Sequence, residues 1–211
     1  SDNLLEKAVK LCKEFKELGF NGAAKEQKDF LDEFWDKAEV KIEGDKAAEE
    51  ALEFNLFHLL QSAGRNGKTS IAAKGLTSEG YEGHYFWDTE SYVCPVFTYT
   101  APKIAKSLLE YRFSILDTAK ARAKTMSLDG ALFPWRTISG EEAGAYYPAG
   151  TAQYHINADI VFALERYNNA HGDFDSEKTG EMCLQSARMY SSLVNFSEEK
   201  NKFCERADTF R

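Results

Sequence analysis

Helical periodicity runs through most of this sequence, and no stretch alternates apolar and polar residues for long enough to propose a sheet. Leu4, Leu5, Ala8, Cys12, Phe15 and Leu18 follow helical spacing, as do Phe30, Leu31, Phe34, Trp35 and Ala38, so two amphipathic helices are expected to open the chain. Glu43-Gly44-Asp45-Lys46 separates them from the next helical stretch. From Ala47 to Ala63, Leu52, Phe54, Leu56, Phe57, Leu59 and Leu60 leave little polar face; this predicts a helix buried on most sides, with His58 a satisfied core residue. Thr100 and Pro102 read as an N-cap and a first-turn proline, opening a helix that buries Ile104, Leu108, Leu109, Phe113 and Leu116. Ile156, Ile160, Ala163, Leu164 and Tyr167 mark a further helix, and Leu184, Ala187, Ser191 and Val194 another.

Two glycine-rich stretches, Gly64 to Gly83 and Asp129 to Gly150, lack periodicity and are expected to be long loops, which in compact domains are often functional. The first leads into Tyr81-Glu82-Gly83-His84-Tyr85-Phe86-Trp87-Asp88-Thr89-Glu90. Aromatic faces beside carboxylates suit a sugar, whose ring offers apolar C–H faces and rim hydroxyls. A helix N-terminus with Trp87 in the core and Asp88 and Glu90 favouring the dipole would use the same residues. The second stretch repeats the chemistry in Phe133-Pro134-Trp135-Arg136-Thr137, Gly140-Glu141-Glu142 and Gly144-Ala145-Tyr146-Tyr147-Pro148-Ala149-Gly150. Arg136 adds a rigid fork for hydroxyls or a carboxylate, or a plain surface pair with Glu141 or Glu142.

Helices joined by such loops fit a toroid of alternating inner and outer helices, or a solenoid of helical pairs. The net charge of −8 argues against nucleic acid or an anionic membrane as partner. Cys12, Cys94, Cys183 and Cys204 lack CxxC spacing, so reduced thiols and a cytoplasmic location are expected. No apolar run has the length of a membrane span and SDNLLEKAVK does not resemble a signal peptide. Gly64-Arg65-Asn66-Gly67-Lys68-Thr69 ends like a phosphate-binding loop, but Ser62 stands where its first glycine belongs and no strand precedes it. His84 with Asp88, and His155 with Asp159, have i,i+4 spacing without a further ligand, so no metal is expected.

The strings GYEGHYFWDTESYVCP (Gly80 to Pro95) and GALFPWRTISGEEAGAYYPAGTAQYHINADI (Gly130 to Ile160) resemble glycoside hydrolase family 65, and NLFHLLQSAGRNGKTSIAAKGLT ahead of them extends the likeness from about Phe54 to at least Tyr167. The resemblance implies an all-α chain, about the first half of an (α/α)6 toroid over residues 46–211, preceded by linker helices over residues 1–45. It implies an inverting phosphorylase that splits an α-glucobiose such as maltose, trehalose, kojibiose or nigerose with inorganic phosphate as co-substrate and no cofactor, giving β-glucose 1-phosphate. In such a reaction one carboxylic acid protonates the leaving oxygen while phosphate attacks the opposite face. By the same resemblance Phe86, Trp87 and Asp88 line the glucosyl pocket with Trp135, Arg136, Glu141 and His155 nearby, and Ala143 to His155 form a loop associated with acceptor choice. The family's general acid lies in a GPDEYH-like motif expected beyond Arg211, so no catalytic acid is assigned here. A hydrolase of the same family and a non-catalytic carbohydrate-binding helical module are the alternatives. Half of a toroid leaves apolar helix faces without neighbours, so a homo-oligomer is also expected.

Overall fold

A computed structural model describes residues 3–76, 80–144 and 151–205. Its chain divides into two compact units, Ser1–Glu53 and Phe54–Arg211, and the expected helical class holds in both.

In the first unit α1 (Leu4–Ala38) is a single long element interrupted at Gly19, whose φ of 67° and ψ of 174° break the helical path. The two expected helices are therefore the two arms of one kinked element. Asn3 caps it by accepting the Glu6 N–H, and only Phe34 and Ala38 are buried. The turn after it is fixed by Glu49, whose carboxylate accepts the Ile42 N–H at 2.7 Å.

α2 (Lys46–Ser62) runs across the division between the units. Its apolar face is far less enclosed than its composition predicts: Leu60 alone is buried and Phe54 is exposed. His58 is half-buried between the rings of Phe54 and Phe57, which corrects the expectation of a core histidine.

In the second unit the order is α3 (Cys94–Thr100), α4 (Pro102–Ser114), α5 (Leu116–Thr125), α6 (His155–His171) and α7 (Ser176–Leu193), closed by a hairpin of β1 (Val194–Ser197) and β2 (Lys202–Glu205). The antiparallel register pairs Val194 with Glu205 and Ser197 with Lys202. Period-two patterning could not reveal strands this short. α3, α4 and α6 pack on one another, and α7 packs against α5 and α6. Leu108, Leu109, Ile160 and Leu164 are wholly enclosed at these contacts, and burying each such side chain stabilises the fold by about 1.5–3 kcal/mol.

Three local details depart from the sequence reading. Ala101, not Thr100, is the N-cap of α4; the Thr100 hydroxyl instead donates back to Val96 O within α3, while Pro102 drives Ala101 out of the helical region. Leu116 begins α5, because the helix breaks at Ile115. On α7 the buried residues are Met182, Gln185, Ser186, Met189 and Leu193, whereas Leu184, Ala187 and Ser191, and Val194 at the start of β1, are exposed, so the buried face is a different one from that expected.

Candidate functional site

The segments leading into α3 and α6 meet. Tyr85 and Thr137 form an isolated antiparallel bridge, with the Tyr85 N–H donating to Thr137 O at 2.7 Å and the Thr137 N–H to Tyr85 O at 3.2 Å. Beside the bridge, the rings of Phe86 and Trp135 stand edge to face with centroids 5.4 Å apart. Phe86 in turn takes the edge of Tyr81 at 5.3 Å. Tyr81 and Glu82 hold φ of 60° and 52°, a left-handed conformation that L side chains adopt at a cost. Arg136 holds that turn in place, its Nη2 donating to Glu82 Oε2 at 2.6 Å. Its partner carboxylate is therefore Glu82, neither of the two acids nearer in sequence.

The second segment is braced from below. The Glu142 carboxylate accepts the N–H groups of Trp135 at 2.7 Å, Arg136 at 3.2 Å and Gly144 at 2.9 Å, and it pairs with Arg122 at 3.1 Å. Arg122 also donates to Phe133 O and Thr151 O; burial lowers its pKa and the Glu142 charge opposes that. Asn157 bonds Phe133 N, Ala131 O and Ser186 Oγ. The second segment is thus fixed to α5 and α6 before any ligand arrives.

These elements enclose a cleft of about 740 Å3 lined by one face of α2 (Asn55, His58, Leu59 and Ser62), by Ile71 to Gly75, and by Tyr81, Phe86, Asp88, Thr89, Val93 and Trp135. Its size suits a small organic ligand. Asp88 is exposed and accepts no hydrogen bond from another described residue, so its carboxylate is available to a ligand. Lys74 Nζ lies 5.8 Å from the Tyr81 ring centroid at the same rim.

Of the residues singled out beforehand, Phe86, Asp88 and Trp135 therefore share the cleft wall. Trp87 does not line it; its ring turns to His155, edge to face at 4.8 Å, and to Tyr92 at 5.8 Å. His155 Nδ1 stands 2.7 Å from Asp159 Oδ2, so that pair is an ordinary polar contact at the start of α6. Arg136 lies behind the wall on Glu82. Glu141 is exposed and receives the Ser139 hydroxyl at 2.6 Å, which lowers its pKa. Residues 145–150, the centre of the expected acceptor loop, lie outside the described residues. No group of three or more potential metal ligands occurs among the described residues. The Gly64 to Thr69 segment is an Asn turn, in which Asn66 Oδ1 accepts Lys68 N and Thr69 Oγ1. Sequence reading missed the α2 contribution, although Asn55, His58 and Ser62 at i, i+3 and i+7, set among Phe54, Leu56, Phe57, Leu59 and Leu60, are a readable polar stripe.

Among curated proteins, the chain is 53% identical over 206 residues to an alpha,alpha-trehalose phosphorylase of Thermoanaerobacter brockii, covering 96% of this chain and 27% of that protein. It is 40% identical over 187 residues to a kojibiose phosphorylase of the same organism, covering 82% and 24%. It superimposes with a TM-score of 0.85, at 30% identity, on a candidate kojibiose phosphorylase from the human microbiome, covering 94% of this chain and 27% of that one. The chain thus spans about a quarter of the length of these relatives. The model of the glycosyl hydrolase family 65 central catalytic domain matches residues 53–206, a stretch that contains every element of the cleft, and the chain belongs to that family.

Proposed function

We propose that this chain supplies the glucosyl-binding wall of an inverting α-glucobiose phosphorylase. Residues 46–211 would form about half of an (α/α)6 toroid and residues 1–45 its linker helices. The observation that carries this reading is the cleft itself, where three aromatic rings stand beside a carboxylate, Asp88, that has no partner among the described residues, in a family 65 chain. A glucosyl ring would lay its C–H face on Trp135 and Phe86 and direct its hydroxyls to Asp88. Trp87, Arg136, Glu141 and His155 would hold the rim of that site and the acceptor side. Trehalose is the substrate favoured by the similarity to trehalose phosphorylases.

The acid that protonates the leaving oxygen is proposed to lie outside the described residues. Glu90 is enclosed and bound to Arg112, Glu142 is occupied by three backbone N–H groups, and Glu141 is an exposed carboxylate bonded to Ser139. Inorganic phosphate would attack the anomeric carbon from the face opposite the departing sugar, so no protein base is required.

The test is phosphate-dependent release of β-glucose 1-phosphate from trehalose, kojibiose, nigerose and maltose by the full-length protein, repeated with Asp88→Asn. We expect turnover of one of these sugars and a loss of roughly 100-fold or more in the variant, with no turnover by the 211-residue chain alone. Free glucose formed without phosphate would instead identify a hydrolase, and saccharide binding without any turnover a binding module. Unchanged turnover in the variant would reject the role of Asp88.

A further inference from the structure

Two consecutive residues of α4 reach the two halves of the cleft wall from behind. The Tyr111 hydroxyl donates to Ile138 O at 2.9 Å, the residue after the bridge position Thr137. Arg112 Nη2 donates to Glu90 Oε2 at 2.6 Å and to Phe86 O at 3.2 Å, the residue after the bridge position Tyr85. Arg112 and Glu90 have no exposed side-chain surface, Tyr111 is 1% exposed, and none of the three lines the cleft.

An ion pair so placed is an expensive way to fill a core, because removing both charges from water costs more than an apolar pair of the same volume would. Here the cost is increased by Glu90 Oε1, Arg112 Nε and Arg112 Nη1, which have no hydrogen-bond partner among the described residues. What the pair provides that apolar side chains cannot is a fixed donor beneath the Phe86 carbonyl. The turn it supports is irregular: residues Thr89–Val93 form one π-helical turn, and the Thr89 N–H reaches Phe86 O only at 3.4 Å. Regular helix geometry does not by itself hold Phe86 and Asp88, and the Arg112 guanidinium supplies the missing constraint.

We propose that Glu90, Arg112 and Tyr111 are positioning residues that set the height and separation of Phe86 and Trp135, and hence saccharide affinity, without touching the ligand. The affinity part rests on the reading of the cleft as a glucosyl site. Because adjacent residues of α4 carry both anchors, the two wall segments are tied to the same turn of one helix in addition to their own bridge.

The test uses Glu90→Leu/Arg112→Met, since either single change would strand a buried charge. Two readouts are taken: kcat/KM for phosphorolysis by the full-length protein, and amide hydrogen exchange at Phe86, Thr89, Glu90 and Thr137. A thermal midpoint is recorded alongside. We expect a midpoint at or above that of the parent, kcat/KM lower by about tenfold or more, as displacement of an oriented contact produces, and faster exchange at the four amides. A double variant with unchanged exchange and unchanged kcat/KM overturns the proposal. Should the parent show no phosphorolysis, the glucosyl reading fails, and exchange alone decides the positioning role: faster exchange supports it and parental exchange rejects it. Should the double variant not fold, Tyr111→Phe decides. It removes the hydroxyl that bonds Ile138 O and meets the Thr137 side chain, and about fivefold lower kcat/KM with faster exchange at Thr137 is expected, the equivalent of one ordinary hydrogen bond. Parental values for both would overturn the proposal.

Discussion

Asn157 offers a sharp test of how the second wall segment is held. Its side-chain oxygen accepts the Phe133 N–H at 3.1 Å, and its nitrogen donates to Ala131 O at 2.8 Å and Ser186 Oγ at 3.1 Å. Asn157, Ala131 and Phe133 are all completely buried, so water cannot replace what is removed. Asn157→Leu leaves one backbone donor and one backbone acceptor unsatisfied, at about 1–3 kcal/mol each, or roughly 2–6 kcal/mol together. For a domain of this size that lowers the melting midpoint by roughly 5–20 °C. Asn157→Asp is more informative. The introduced carboxyl can still accept from Phe133 N, but only its protonated form can donate to Ala131 O, so burial and this contact both raise its folded pKa above the unfolded value of about 3.9. Between those two values the native state binds the extra proton. Stability therefore falls as pH rises through that window, by about 1.4 kcal/mol per unit, and is flat above the folded pKa. Melting followed by far-UV circular dichroism from pH 3.5 to 8 should show the variant near the parent in acid and well below it at neutrality. A constant deficit across that range, or a leucine variant as stable as the parent, would refute the account of Asn157.

Gly130 and Gly180 should respond to alanine with opposite signs. At Gly130 φ is +69° and a Cβ would lie 2.1 Å from Gln185 O, so Gly130→Ala should lower stability by at least about 2 kcal/mol; at Gly180, within α7 with nothing within 4 Å, Gly180→Ala should add about 0.5–1 kcal/mol, and thermal melts check both. Cys12 should react with a thiol reagent in the native chain, whereas Cys94, buried and with its thiol pKa pushed well up chiefly by that burial, should react only on unfolding; equal rates would contradict the packing of α3. The outward Leu184 and Val194 and the ring pair Phe196–Phe203 should make the chain self-associate, seen as a scattering mass that rises with concentration, and a constant monomer mass would reject that.

How much was legible in the sequence varied with the physical signal available. α6 reads directly, since Ile156, Ile160, Ala163, Leu164 and Tyr167 are apolar and all buried. α7 does not, because its inner face includes Gln185 and Ser186. Ser186 is tolerated inside because its hydroxyl meets the Asn157 amide, and no periodicity records such a partnership. Thr100 could have capped α4, but satisfied its hydroxyl one turn back. At the site, the aromatic and acidic motifs mark both wall segments, whereas their closure through Tyr85 and Thr137 is a tertiary pairing with no local trace. Trp87 and Arg136 looked interchangeable with their neighbours in the motif, yet backbone direction turns one toward His155 and the other toward Glu82.

The Tyr85–Thr137 bridge also bears on the order in which the molecule assembles. It joins positions separated by all of α3, α4 and α5, so chain entropy opposes it until those helices have docked, and only two backbone hydrogen bonds are gained when it closes. The cleft should be among the last features to form on folding and among the first to open in a fluctuation short of global unfolding. A ligand spanning Asp88 and Trp135 would tie the two sides together across that late contact and suppress this partial opening more strongly than it delays global unfolding.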